Sequence, residues 1–272
     1  MSKSGAKAAA RKAALEGKPI EQHGLTLWAI TMGGYEEWAK CKSVWMARQS
    51  KFPVSYIMLP FLEAIFEIDM DAIDKTGRPA GLLYDIMYGL GMALRLGRDC
   101  VHDGNIYLKA DEENKKFCAI GVKTGNGKEV EITSNKFLDI RKTVLWMNGE
   151  EEPDESENDE LLEAERDLSK MNAPPLKYDL LDLEAAVGLA YGQRIKDVLE
   201  WSILEFETSR RAIQRDKKHM ICGIGETNGC KWESGNPYPS WCFDREQTTS
   251  GALIAQSNFG KSNTNKKGVK KP

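Results

Sequence analysis

Apolar side chains along this chain repeat at two intervals, and the intervals separate its helices from its strands. Trp38, Cys41, Val44 and Trp45 recur three and four apart, which predicts a helix over Tyr35 to Arg48. Phe61, Ile65 and Phe66 continue the pattern in a second helix, Met58 to Ile73, entered after Pro60. A turn at Thr76 to Pro79 leads to a third, from about Leu82 to Leu96. The period then shortens. Asn105 to Ala110, Lys116 to Lys123 and Lys128 to Thr133 are short, β-branched and partly alternating, and Asn126-Gly127 between the last two is a strong two-residue hairpin signal. From Ser134, placed as an N-cap, helical spacing returns through Phe137, Ile140, Val144 and Met147 and stops at Asn148-Gly149. Leu25 to Met32 is apolar but too short to assign by period.

Asn172 to Leu176, with two prolines, breaks the chain again. Leu180 to Tyr191 reads as a helix closed by Gly192, and Ile195 to Glu200 as a short helix. Ser202 to Glu205 is a capping box that opens a helix from Ile203 to about Lys218. No internal repeat is visible. The expected fold is mainly α with a small antiparallel β-hairpin sheet, an α+β arrangement.

Charge divides the chain more sharply than the period does. The 272 residues carry a net charge of -3. Eleven acids and one Arg lie between Glu150 and Asp167, while the first twenty residues hold five basic groups against one acid and the last twenty-two hold five lysines and no acid. The expected organisation is a mobile basic tail over 1–22, a helical unit with the small sheet over 23–149, and an acidic linker running into the start of a helix over 150–172. A C-terminal helical unit with a Cys- and Trp-rich ending follows over 173–243, then a disordered basic tail over 244–272. This distribution argues against a globally basic nucleic-acid binder. No apolar run approaches the roughly 20 residues of a membrane span, and the N-terminus has no apolar segment of a secretory signal. Six scattered cysteines do not make a disulfide framework, so a reducing compartment is expected.

Several groupings offer chemistry. Lys123 to Lys128 resembles a phosphate loop, but Val122 and Glu129 stand where that loop needs a glycine and a Ser or Thr, which favours the hairpin. His219 and Cys222 have a familiar zinc-ligand spacing, and Cys230 and Cys242 complete a possible four-ligand set; the eleven residues between those two depart from the zinc pattern, and free thiols are the plainer reading. Cys100, His102 and Asp103 place a thiol, an imidazole and a carboxylate close in sequence, which is either the least remote catalytic centre or an ordinary polar loop. Leu180 to Lys218 has the outline of a helix-turn-helix with a basic end at Arg210, Arg211, Arg215, Lys217 and Lys218, but Asp197, Glu200, Glu205 and Glu207 would face phosphates unfavourably. Trp232, Tyr238, Trp241 and Phe243, set among glycines and prolines, either lock a loop onto the body or anchor a partner.

Gly192-x-x-Ile195-x-Asp197-Val198-Leu199, then Ile203-x-x-Phe206 and Arg211-Ala212-Ile213, resembles the helical ending of small tail-module and tail-assembly-chaperone proteins of bacteriophages. Ile132 to Arg141 and Trp146 to Asn148, followed by acids, are similar to uncharacterised proteins of phages and prophages of Gram-positive bacteria. The likeness spans about residues 105–243. It implies a non-enzymatic structural, adaptor or chaperone-like assembly protein, oligomeric or complex-bound. Its partners would be other tail or virion proteins, it would need no cofactor, and it would act in the bacterial host cytoplasm with a place in the virion left open. The competing expectation is a zinc-stabilised helix-turn-helix regulator that binds nucleic acid.

Overall fold

The computed structural model describes residues 3–111, 116–124, 127–155, 167, 179–231, 236–238 and 240–241. It is mainly helical with small antiparallel sheets, an α+β fold. Two units divide between Thr208 and Ser209, within the last helix and not in the acidic stretch.

The first unit begins with helix α1 (Lys3–Leu15), where the sequence predicts a mobile tail. Two stripes explain the order. Ala10 and Ala14, one turn apart, are each 1% exposed. Lys3, Lys7 and Arg11 form a second row four apart, Lys3 pairing with Glu152 at 3.2 Å and Arg11 with Glu151 at 3.0 Å, while Lys7 also pairs with Glu151. The tail's other end is strand β1 (Ile20–Gln22), which turns at His23 and Gly24, both at positive φ, into β2 (Leu25–Leu27).

Helices α2 (Tyr35–Trp45), α3 (Phe61–Thr76), α4 (Leu82–Ala93) and α5 (Ser134–Met147) carry the main core. Its centre is aromatic. Trp38 and Trp45 meet edge to face at 5.5 Å, Trp45 lies 5.3 Å from Phe137, and Phe61 stacks on Phe137 at 5.8 Å. Strands β3 (Ile106–Asp111), β4 (Lys116–Lys123) and β5 (Glu129–Ile132) form an antiparallel sheet in that order, with Ile120 opposite both Leu108 and Ile132. Phe117, Ala119, Ile120 and Val122 are buried, and the sheet packs on α3, α4 and α5.

Buried polar groups lock the helices to one another. Asp69 of α3 accepts from the N–H groups of Gly81, Leu82 and Leu83 at the start of α4. Arg141 of α5 lies over the Phe61 ring and donates to the Trp45 and Ala47 carbonyls at 2.6 and 2.5 Å, closing the end of α2. Burial pushes its guanidinium down to about 10, against the pull of Glu155 and Glu152. Helix α5 starts one residue earlier than the sequence suggests, because Thr133 and not Ser134 holds the N-cap position, and the Ser134 hydroxyl is buried without a partner.

The first part of the acidic stretch is not a solvated linker. Glu150 pairs with Lys42, Glu151 and Glu152 hold α1, and Glu155 accepts from the N–H groups of Gln49 and Ser50 at 2.9 and 3.0 Å. These are the positive groups that a composition count assigns to separate segments. The rest of the acidic stretch, apart from Asp167, and the basic end 244–272 lie outside the described residues.

Helix α6 (Leu180–Tyr191) ends at Gly192 with φ +65°, followed by α7 (Ile195–Val198) and α8 (Ile203–Thr227). Gly188 lets α6 and α7 approach; a Cβ there would stand 2.9 Å from the Gln193 carbonyl. Val198, Ile203 and Phe206 of the phage likeness are buried and pack in the first unit, whereas Ile195 is exposed and Arg211 to Ile213 lie in the second unit. An extended segment through Thr31 bridges to Ser202. Among the described residues no helix is long and apolar enough to cross a membrane.

Candidate functional site

The second unit contains most of α8, from Ser209 on. The sequence suggests an end near Lys218, yet the helix runs to Thr227 through Gly223 and Gly225, residues of low helix propensity. The extension creates a face. Ile213, Lys217, Met220, Ile221 and Ile224 recur three and four apart and therefore share one side of the helix. Met220 is 58% exposed, Ile221 67% and Ile224 60%, with Lys217 exposed among them. Solitary exposed apolar residues are ordinary on a protein surface; a contiguous row is a contact signal.

The other side of the same helix carries His219, Lys218 and Cys222. His219 Nδ1 donates to the Tyr238 carbonyl at 2.8 Å, the Tyr238 N–H donates to Asn236 Oδ1 at 2.8 Å, and Lys218 Nζ lies 5.0 Å from the centre of the Tyr238 ring. Tyr238 thus fastens its segment to α8, whereas Trp241 is 63% exposed. Trp232 and Phe243 of the predicted aromatic group lie outside the described residues.

Of the four predicted zinc ligands, His219 and Cys222 are less than one turn apart on α8. Cys222 is buried, Cys230 is exposed at the helix end, and Cys242 lies outside the described residues. Among the described residues no three His, Cys, Asp or Glu side chains group to hold a metal ion. The proton on Nδ1 leaves Nε2 as the imidazole's acceptor.

The first unit has a cleft of about 240 Å³ that the sequence does not announce. Ile30 and Met92 line it with Tyr88, Glu37, Arg95 and Arg98. Arg98 pairs with Glu37 at 2.9 Å. Arg95 sits just beyond α4 in the left-handed region, φ +55°, with its guanidinium 3.9 Å above the Trp28 ring. Burial and the Glu37 charge raise the Tyr88 hydroxyl above its ordinary range, with Arg98 opposing. Trp28 and Glu37 are separated from Arg95 and Arg98 by most of α2, α3 and α4 and share no motif with them. The glycines at 33, 34 and 97 in the same wall were the available signal.

The remaining groupings do not converge. The Cys100 thiol is buried beside Gly91 and raised by burial, while His102 is exposed with its ring 6.1 Å from that of Tyr84. Lys123 to Lys128 closes the β4–β5 hairpin, in which the Thr124 N–H and hydroxyl both donate to the Lys128 carbonyl at 2.8 Å. In the helix-turn-helix outline, Asp197 accepts from the Arg194 guanidinium at 2.8 and 3.0 Å. No family model, no curated protein and no solved structure matches the chain.

Proposed function

We propose that this chain works by protein–protein contact, as a structural, adaptor or chaperone-like assembly protein of a bacteriophage tail. The observation that carries the contact role is the exposed row Met220, Ile221 and Ile224 on α8. Side chains of this kind gain about 25 cal/mol per Å² when a partner removes them from water. Leu189 at 84% exposure adds a further apolar group on the first unit. The phage assignment rests on the sequence likeness over about residues 105–243. The test is mass spectrometry of purified particles and tail intermediates from the producing bacterium. Finding the chain there in stoichiometric amount supports the reading; its absence from both sinks it.

One observation favours the zinc-stabilised alternative. A histidine that donates Nδ1–H to a backbone carbonyl, as His219 does to Tyr238, is held in the tautomer that metal-ligating histidines use. His219 and Cys222 would then be the nearest ligands, and a zinc ion would cross-link α8 to the following loop. Elemental analysis of purified protein, paired with His219→Ala, separates the readings: no zinc, and no stability loss on chelation, removes the alternative.

A further inference from the structure

We infer that the cleft beside Arg95 binds a small monocarboxylate with an apolar body, its carboxylate held by the Arg95 guanidinium. The site goes beyond the contact role proposed above and is built from residues of the first unit alone.

Arg95 occupies a position where its backbone would favour another residue. Helix α4 ends in a Schellman motif, with the Leu96 N–H donating to the Gly91 carbonyl at 3.0 Å and the Arg95 N–H to the Met92 carbonyl at 3.1 Å. The left-handed position of that motif usually holds glycine, because a Cβ is unfavourable at positive φ; here it holds Arg95, at +55°. Glycine would close the helix with less strain, so the reason for arginine lies in its side chain. The Trp28 ring holds the guanidinium from 3.9 Å. Among the described residues the guanidinium forms no ion pair and no hydrogen bond, so its five N–H donors are unspent. A held cation with open donors in the wall of a cleft is a preorganised anion receptor.

The rest of the wall selects the anion. Arg98 is already neutralised by Glu37 at 2.9 Å, which leaves the single charge of Arg95 to be matched. Glu200 and Glu205 line a smaller cavity of about 60 Å³ that Arg95 also borders; neither pairs with it, but both oppose a second negative charge. A carboxylate therefore fits better than a phosphate dianion, and its two oxygens suit the planar guanidinium fork. The cleft also offers apolar surface at Ile30 and Met92 and a neutral hydroxyl at Tyr88, which burial and the Glu37 charge keep protonated. Its volume of about 240 Å³ lies below the range of about 300–1,000 Å³ typical for drug-sized ligands, so the body is no larger than one ring or one apolar side chain. Two sources supply that chemistry: a free small acid, or the carboxyl end of a partner chain with an apolar last residue.

The test is titration calorimetry of the full chain with phenylacetate, phenylacetamide and phenyl phosphate, and with the tripeptide Ala-Ala-Phe as free acid and as C-terminal amide. Phenylacetate should bind with a dissociation constant of about 1 mM or tighter, its amide at least tenfold more weakly, and phenyl phosphate no tighter than phenylacetate. Arg95→Gly should weaken phenylacetate at least tenfold while the α4 end keeps its conformation, which thermal melts check. Arg95→Lys keeps the charge without the fork and should weaken it severalfold. Glu37→Gln frees Arg98 and should turn the preference towards phenyl phosphate. A free-acid tripeptide that binds tighter than phenylacetate identifies a chain end as the source, and a weaker one a free acid; either supports the site. No phenylacetate binding up to about 10 mM overturns the inference, as do equal affinity for the amide, indifference to both Arg95 variants, and a wild-type preference for phenyl phosphate. Particle association is read separately by mass spectrometry, so this inference and the contact role fail independently.

Discussion

Replacing Asp69 tests how α3 and α4 are joined. Its side chain is 7% exposed, with Oδ1 accepting from Gly81 N–H at 3.0 Å and Leu82 N–H at 3.2 Å, and Oδ2 accepting from Leu83 N–H at 2.8 Å. Helix α4 has Gly81 at its N-cap, which has no side chain to do this work, so a carboxylate twelve residues earlier supplies the cap. Asp69→Ala leaves the donors at the buried end of this set without an acceptor. Loss of an N-cap costs about 1 kcal/mol, loss of a buried charge-assisted bond about 1.5–3, and loss of the favourable helix-dipole contact about 0.5. These overlap, and the expected total is about 3 kcal/mol, a fall in melting temperature of roughly 6–12 °C for a unit of this size. Asp69→Asn keeps one acceptor oxygen and loses the charge, for about half that cost. Urea unfolding followed by tryptophan fluorescence reads both, since Trp38, Trp45 and Trp146 are buried. An alanine variant within about 1 kcal/mol of wild type, at unchanged m-value, refutes the remote cap.

Glycine-to-alanine changes in two helices should act with opposite signs. A Cβ at Gly89 would stand 2.5 Å from Trp45 Nε1, whereas Gly223 has open space, so Gly89→Ala should lose about 2 kcal/mol and Gly223→Ala gain about 0.5–1, read by thermal melts. Burial works to raise Glu155, but the N–H groups of Ser50 and Gln49, with Arg141, hold it below its ordinary 4.5; Lys7 and Arg11 do the same for the partly buried Glu151. Both lowered carboxylates add stability that is present above pH 4.5 and lost as pH falls through their folded values. Glu155→Gln should therefore destabilise at pH 7 and converge with wild type in acid, and a gap that does not narrow as pH falls below 4.5 would count against the assignment. Limited trypsin digestion probes the docking of α1: cleavage after Lys7 and Arg11 should accelerate severalfold in Glu151→Gln and at high salt, and equal rates would show that the ion pairs do not hold the helix.

Periodicity made the core legible. Trp38, Trp45, Phe61 and Phe137 read as inward-facing from spacing alone, and they meet at the centre. Hairpin chemistry found the sheet because Gly127 does adopt positive φ. What the sequence concealed depends on pairing across distance. Lys3, Lys7 and Arg11 look like a solvated tail until Glu151 and Glu152 arrive from far along the chain, and Asp69 caps a helix to which it does not belong. Propensity hid the α8 face for another reason. Gly223 and Gly225 lower helix propensity, but local hydrogen bonding carries the helix through to the cap at Gly229, where φ is +84°. The cleft beside Arg95 joins residues with no common spacing and so left no trace in the pattern.

The pairing of α1 with the start of the acidic stretch also sets a schedule for biosynthesis. Lys7 and Glu151 are 144 residues apart, so the first helix leaves the ribosome roughly 7–29 s before its partners exist, at 5–20 residues per second. A thirteen-residue helix is marginal on its own. During that interval Lys3 to Leu15 is an unpaired cationic strand of nascent chain, open to chaperones and proteases. Its ion pairs can form only after Glu151 and Glu152 have been made.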